Sequence, residues 1–255
     1  MSPLNQDLRS INTTRRVLLK LSGEALMGDL EFGIQDQMMD QVVQALIQAA
    51  QQGIEIGIVV GGGNLFRGVQ GTAQGMDRTR ADSMGMMATI MNGLALLDAL
   101  ERAGQKARAF CAIEMPRVME FFRRDAARAA LNEGAICIFA GGTGNPFFTT
   151  DSAAALRAAE LGMGELIKGT QVDGVYESDP RKDPSARRYE SVSFATCLRH
   201  QLKVMDASAF AICQAEHINL RVFNMHHEDA LAQALLGDVK GTLVGVGLTD
   251  QFAER

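Results

Sequence analysis

The sequence predicts an α/β chain built on a mainly parallel sheet with helices on both faces. Three observations carry this. Short apolar runs alternate with helical stretches along the whole chain. The runs are apolar enough to be buried on both faces, as strands of a covered parallel sheet are. Three of them end in glycine-bearing turns, at Ser22-Gly23, at Gly61–Gly63 and at Gly141–Gly144. At 255 residues, with no internal repeat, low-complexity segment or clean linker, the chain reads as a flexible polar tail at 1–14 and one domain over 15–255.

Val17–Leu21 is the first strand. Lys20 interrupts its apolar run, so either a counter-charge such as phosphate meets it or it snorkels from an edge strand. Gln35–Gln52 places Met38, Met39, Val42, Val43, Leu46, Ile47 and Ala50 on one helical face, and Gly53 ends it. Ile54–Val60 is the next strand and runs into Gly61-Gly62-Gly63-Asn64-Leu65-Phe66-Arg67-Gly68. Three glycines suit close backbone approach to a ligand, and Arg67 stands ready to clamp phosphate oxygens. Val69–Thr79 lacks periodicity and reads as a surface loop or lid. A long helix is predicted over Asp82–Arg102, with Met84, Met86, Met87 and Met91 assigned to core or subunit packing. Asp82 falls in its first turn, where helix-dipole stabilisation competes with a ligand contact as its role.

Lys106–Ala112 is a strand, and Pro116 is expected to open a helix to about Asn132, closed by Gly134. Ala135–Ala140 is a buried strand leading into Gly141-Gly142-Thr143-Gly144-Asn145-Pro146-Phe147-Phe148-Thr149-Thr150-Asp151 and a helix over Ser152–Leu161. A glycine turn feeding a helix N-terminus offers free N–H donors to an anion, although an ordinary strand-to-helix turn has the same composition. Glu165–Lys168 is a short strand. Val172–Tyr176 reads as a hairpin or turn bending at Asp173-Gly174, and Ser178–Pro184 as a rigid polar loop. Helices over Ala207–His217 and Glu228–Leu236 and strands at Asn219–Phe223 and Thr242–Val244 complete the chain.

The net charge of −5, with scattered basic residues, gives no electrostatic case for nucleic acid or an acidic membrane as partner. Cys111, Cys137, Cys197 and Cys213 lack C-x-x-C spacing and read as buried free thiols of a reducing compartment, the cytoplasm. Residues 1–14 lack an apolar core of the signal type, and no apolar run is expected to reach membrane-spanning length.

In an open parallel sheet the strand C-termini share one edge, so the three glycine turns are expected to converge there. Three phosphate-sized turns suggest a nucleoside triphosphate facing a second phosphorylated substrate. The sequence has no G-x-x-x-x-G-K-[ST] loop, no G-x-G-x-x-G opening its first helix, no protein-kinase set, no hydrolase nucleophile setting and no H-E-x-x-H or carboxylate cluster.

The segments Leu19–Leu26, Gly61–Gly68, Met84-Gly85-Met86 with Met91–Leu96, Thr143–Asp151, Val172–Tyr176 and Lys203–Asp206 resemble the bacterial UMP kinases of the amino-acid-kinase family, in family order from Val17 to Val244. The first two are shared by the wider family. Thr143–Asp151 separates UMP kinases from the acetylglutamate, aspartate and carbamate kinases. The resemblance implies a three-layer α/β/α sandwich with a UMP-binding part at about 15–165 and an ATP-binding part at about 166–245. It implies transfer of the ATP γ-phosphate to UMP, giving UDP and ADP, in pyrimidine nucleotide biosynthesis. It also implies Mg2+ bound through nucleotide phosphates rather than a protein metal site, a homohexamer, activation by GTP and inhibition by UTP, with no nucleic acid or membrane partner.

Residue by residue, the resemblance assigns Lys20, Leu21, Ser22, Gly23, Gly63 and Arg67 to the ATP phosphates and Thr170, Tyr176 and Asp179 to the adenosine side. It assigns Gly62, Asp82, Thr143, Gly144, Asn145, Pro146, Phe147, Phe148, Thr149 and Thr150 to UMP. Lys20, Arg67 and Asp151 carry the catalytic expectation, Asp151 either organising a cation or lysine or acting as a helix-start carboxylate. Asp206 supports the site. Three departures stand out: Gln171 where relatives often carry lysine, Ser83 in place of a bulkier residue, and Ala207-Ser208 in place of Ser-Thr. Two alternatives share the fold: phosphorylation of a carboxylate or carbamate, and a non-catalytic nucleotide-binding relative.

Overall fold

Strand alternation in β1 (Arg16–Leu21) sets the layers of the molecule. Val17, Leu19 and Leu21 enter one buried apolar cluster and Leu18 enters the other, because successive side chains leave opposite faces. A computed structural model describes residues 15–67, 75–202, 204–225 and 229–253. The expected tail at 1–14, Gly68, residues 69–74 of the expected loop or lid, Lys203, residues 226–228 and residues 254–255 lie outside the described residues.

The remaining strands are β2 (Glu55–Val60), β3 (Ala107–Cys111), β4 (Glu120–Phe121), β5 (Ile136–Ala140), β6 (Glu165–Thr170), β7 (Tyr189–Ser193), β8 (Asn219–Asn224), β9 (Gly241–Gly245) and β10 (Gln251–Phe252). They form one sheet in the order β10-β7-β9-β8-β6-β1-β2-β5-β3-β4. Every pairing is parallel except β8 with β9 and β10 with β7. Helices α1 (Asp36–Gln51), α2 (Arg78–Arg102) and α7 (Ala230–Leu236) cover one face. Helices α3 (Arg124–Asn132), α4 (Thr150–Leu161), α5 (Phe194–Arg199) and α6 (Ala207–Ala215) cover the other. The expected three-layer sandwich is present.

Several local expectations change. The helix foreseen from Pro116 starts only at Arg124. The chain before it turns, and β4 pairs with the edge of β3, Phe110 opposite Glu120. Val172–Tyr176 forms no hairpin; Tyr176 makes one isolated bridge to Arg188. The long helix begins at Arg78 rather than Asp82, because Asp77 caps it by accepting from the Arg80 amide. By length and composition this helix, through an 18-residue stretch of mean hydropathy 1.3, is apolar enough to cross a membrane, which corrects the expectation from the sequence. Ala81, Ala88, Ile90, Leu96, Ala99 and Leu100 are buried on it, so packing in the fold accounts for that hydropathy. The four cysteines are buried and free, and burial first of all pushes the Cys137, Cys197 and Cys213 thiols up to about 12.

Candidate active site

The three glycine turns meet at the C-terminal edge of the sheet. A Cβ on Gly23 would stand 2.5 Å from Asn64 Oδ1 and 2.8 Å from the Gly63 amide nitrogen, so the turn after β1 rests directly on the turn after β2. The Gly61 amide donates to the Leu21 carbonyl at 2.8 Å. A Cβ on Gly62 would stand 2.7 Å from Ala88 Cβ on α2, an approach only glycine allows. Gly62, Gly63, Gly142 and Thr143 then share one cavity of about 230 Å3.

Lys20 and Lys168 are register partners on the adjacent parallel strands β1 and β6, so their side chains leave the same face. That face lies under α4. Thr149 caps α4, accepting from the Asp151 and Ser152 amides, and this sets Asp151 in the first turn above the lysines. Lys168 Nζ donates to Asp151 Oδ2 at 2.5 Å and to the Val204 carbonyl at 2.7 Å. Lys20 Nζ stands 3.0 Å from Asp151 Oδ1 as an ion pair outside hydrogen-bond alignment, and that buried oxygen has no hydrogen-bond donor among the described residues. Burial pushes the Asp151 carboxyl up, but the charges of Lys20 and Lys168 outweigh it and hold the group below the ordinary carboxylate value. Burial pushes the Lys168 ammonium below its ordinary value, with Lys20 adding to this and Asp151 opposing it. The Asp206 carboxylate also acts on Lys168, so two lysines and two carboxylates meet at the start of α4, and the two ammonium groups are the part of the cluster that suits an anionic ligand.

Asp206 caps α6 by accepting from the Ala209 amide at 2.9 Å. It also accepts from Ser152 Oγ at 2.8 Å and from Thr149 Oγ1, tying the start of α6 to the start of α4. Arg67 donates to Glu24 Oε1 at 2.6 Å and to the Gly63 carbonyl at 3.2 Å, at the rim of the glycine turns.

The 230 Å3 cavity gathers Gly62, Asp82, Thr143, Asn145, Phe148, Thr149 and Thr150 from the expected acceptor set. Gly144, Pro146 and Phe147 do not line it. Gly144 closes on Ala112 instead, where a Cβ would meet the carbonyl oxygen at 2.9 Å. Phe147 is exposed and holds a positive φ of 72°, uncommon for a residue with a side chain. Its amide donates to Asp82 Oδ2 at 2.7 Å, and Arg78 Nε donates to both Asp82 oxygens at 2.9 Å. Asp82 therefore lies one turn inside α2 and anchors the acceptor loop, so of the two roles weighed for it the first-turn dipole one does not apply.

A second cavity, of about 520 Å3, is lined by Thr170, Tyr176 and Asp179, the three residues expected on the adenosine side. Thr170 Oγ1 donates to the Val172 carbonyl at 2.6 Å, and Tyr176 Oη donates to Asp173 Oδ1 at 2.6 Å. Burial, then that hydrogen bond, pushes the Tyr176 phenol up to about 12. Asp179 accepts from the Arg181 amide at 3.0 Å, and Gln171 accepts from Arg181 Nη2 at 3.3 Å. Lys20, Asp151 and Lys168 line neither cavity; Val204, whose carbonyl accepts from Lys168, lines the larger, and Thr150, next to Asp151, lines the smaller. Lys168 is the site residue that sequence reasoning missed. Its signal was the one used for Lys20, a lysine closing an apolar strand.

The family model for the amino acid kinase family matches residues 15–224. The chain is similar to the crystal structure of UMP kinase from Ureaplasma parvum, with 38% identity and a TM-score of 0.87 over 91% of this chain and 99% of that one. It is similar to UMP kinase from Bacillus anthracis, with 33% identity and a TM-score of 0.90 over 94% and 99% of the two chains. Uridylate kinase from Archaeoglobus fulgidus matches at 26% identity and a TM-score of 0.67, over 89% and 99%. Family match, topology and near-complete overlap agree: the chain belongs to the amino acid kinase family, among its UMP kinases.

Proposed function

We infer that the protein is a nucleoside monophosphate kinase that transfers the γ-phosphate of ATP to UMP, giving UDP and ADP. The observation that carries this is the Lys20–Asp151–Lys168 ion cluster, whose chain neighbour Thr150 and hydrogen-bond partner Val204 each line one of the two cavities. The larger cavity takes the adenosine of ATP through Thr170, Tyr176 and Asp179. The smaller takes UMP through Gly62, Asp82 and the Thr143–Thr150 run.

An oxygen of the UMP phosphate attacks the γ-phosphorus in line, and the bridging oxygen leaves with ADP. The attacking oxygen is already ionised, so no general base is required. The work is positioning, and neutralising charge between two anions. Lys20 and Lys168 lie where that charge develops, and Asp151 holds both ammonium groups in place. Arg67 reaches the phosphates by exchanging Glu24 for phosphate oxygens. Mg2+ carried by the nucleotide phosphates needs few protein ligands, and the Asp151 and Asp206 carboxylates at the helix starts are of the oxygen-donor type it takes. The ion would supply charge neutralisation at the phosphates, and Asp151 and Asp206 would be the carboxylates to hold it there through water.

The pathway is pyrimidine nucleotide biosynthesis. The four free thiols support a reducing compartment, the cytoplasm. The exposed methionines of α2 support self-association, as a homohexamer, and the family resemblance supports activation by GTP and inhibition by UTP. The experiment is ADP formation with UMP, CMP, acetylglutamate and aspartate offered as acceptors. UMP-dependent turnover well above the other three is expected. Turnover with an amino-acid acceptor alone, or with none, overturns the reading.

A further inference from the structure

Helix α2 carries three polar side chains on its inward side, Asp82, Thr89 and Asn92, spaced so that they share one face. Asp82 anchors the acceptor loop as described. The other two are deeply buried: Thr89 is 2% exposed and Asn92 0%. Thr89 lies in the wall of the 230 Å3 cavity with its hydroxyl already engaged, and Asn92 lies behind that wall. Their hydrogen bonds explain what they do instead.

Thr89 Oγ1 donates to the Met86 carbonyl at 2.7 Å and accepts from the Gly141 amide at 2.8 Å. Both functions of the hydroxyl are used, so its direction is fixed. Gly141 is the residue at which β5 ends and the acceptor turn begins. Asn92 Nδ2 donates to the Gly61 carbonyl at 2.7 Å and to Asn64 Oδ1 at 2.7 Å. Asn64, 2% exposed, returns a bond to Asn92 Oδ1 at 3.2 Å and donates to the Gly33 carbonyl at 2.8 Å. Gly61 opens the triple-glycine turn on the other side of the site. One rigid helix thus grips the backbone of both turns, with Gly62 pressed against Ala88 between the grips.

We propose that Thr89 and Asn92 are positioning residues for phosphoryl transfer: through Gly141 and Gly61 they set the separation of the acceptor turn from the triple-glycine turn. The proposal rests on the kinase reading above. In-line transfer tolerates little error in that separation, since a misplacement of about 1 Å costs on the order of 10²-fold in rate. Loss of the Thr89 hydroxyl removes the side-chain acceptor of the buried Gly141 amide.

The test compares Thr89→Val, which keeps the shape and removes the hydroxyl, with Thr89→Ser, which keeps the hydroxyl and removes a methyl. Asn92→Leu is the second site. Steady-state rates with ATP and UMP are measured beside melting temperature and equilibrium UMP binding. Thr89→Val and Asn92→Leu are expected to lower kcat by roughly 10- to 100-fold while KM for either nucleotide moves less than about three-fold. Thr89→Ser is expected to recover most of kcat. If Thr89→Val and Thr89→Ser turn over alike, or if Thr89→Val loses only stability or only UMP binding, the positioning role is overturned. Should Asn92→Leu fail to fold, the valine and serine pair decides alone. A wild-type protein without UMP-dependent turnover overturns the kinase reading and this proposal together; an active wild type with an equally active valine variant overturns this proposal only.

Discussion

Asp151 is the residue on which the site's charge balance turns. Its carboxylate holds two lysines that would otherwise repel each other across the sheet face, and it is nearly buried. Removing one partner of a buried ion cluster leaves unpaired charge and costs roughly 3–5 kcal/mol. Asp151→Asn is therefore expected to lower stability by about 3 kcal/mol at neutral pH, read from the denaturation midpoint. The pH dependence has a definite sign. Burial alone raises the Asp151 pKa, the two lysine charges overcome it, and the folded value lies below 3.8. Such a group contributes stability that is complete above its unfolded value and is lost as pH falls through the lower folded value. The gap between wild type and Asp151→Asn should therefore narrow as pH drops below 3.8. A gap of the same size at low and neutral pH would show that the lysine pairing is not what Asp151 contributes.

Among the elements, the N-terminal half of α2 shows how local chemistry sets substrate geometry. Arg78 braces Asp82, and Asp82 holds Phe147 in its left-handed conformation, with the Arg78 guanidinium 5.7 Å from the Phe147 ring centre. The Arg78–Asp82 pair is an exposed i,i+4 contact, 56% exposed on the arginine side, and such pairs contribute about 0.3–0.5 kcal/mol to stability. Its effect belongs to acceptor binding instead. Arg78→Ala is expected to raise KM for UMP about ten-fold, with KM for ATP and the melting temperature nearly unchanged, because roughly 1.4 kcal/mol of binding corresponds to that factor. Equal changes in both KM values would place Arg78 outside acceptor recognition. The same elements show what the sequence could and could not reveal. The strands and glycine turns were legible because apolar runs end abruptly at Gly23, Gly61 and Gly141. Lys168 was passed over because an isolated lysine at a strand end has a bland explanation until its register partner, Lys20, is known. β7 was illegible: Tyr189-Glu190-Ser191-Val192-Ser193 has no apolar run, and its place is fixed by pairing with β9 and β10. The helix foreseen to end near Asn132 is present, but its start at Pro116 failed for the same reason, since pairing of β4 with the β3 edge overrode local propensity. The polar anchors Thr89 and Asn92 were hidden inside an apolar-looking helix, where sequence shows the residue but not its partner.

At the scale of the whole molecule, α2 has two faces with different duties. Its inward polar residues bond the backbone of the turns after β2 and β5. Its outward face shows Met84, Met87 and Met91, 44%, 39% and 58% exposed, spaced as neighbours along one side of the helix. Val118 and Phe121 are exposed as well, at 45% and 43%. Methionine suits a contact that must accommodate a second irregular surface, because its chain is unbranched and polarisable. Self-association through this face would bury apolar side chains at about 25 cal/mol per Å2 of area removed from water. Replacing Met91 by lysine puts a charge at the most exposed of the three methionines, and desolvating an unpaired charge opposes association. The wild-type protein is expected to sediment as an oligomer, and Met91→Lys to shift it toward smaller species at the same protein concentration. Far-UV circular dichroism should stay unchanged, since the Met91 side chain points away from the core. A wild-type chain that sediments as a monomer removes the hexamer from the proposed function. An oligomer unaffected by Met91→Lys moves the interface to another face, and either result leaves the chemistry at Lys20, Asp151 and Lys168 standing, because all three side chains come from the chain itself.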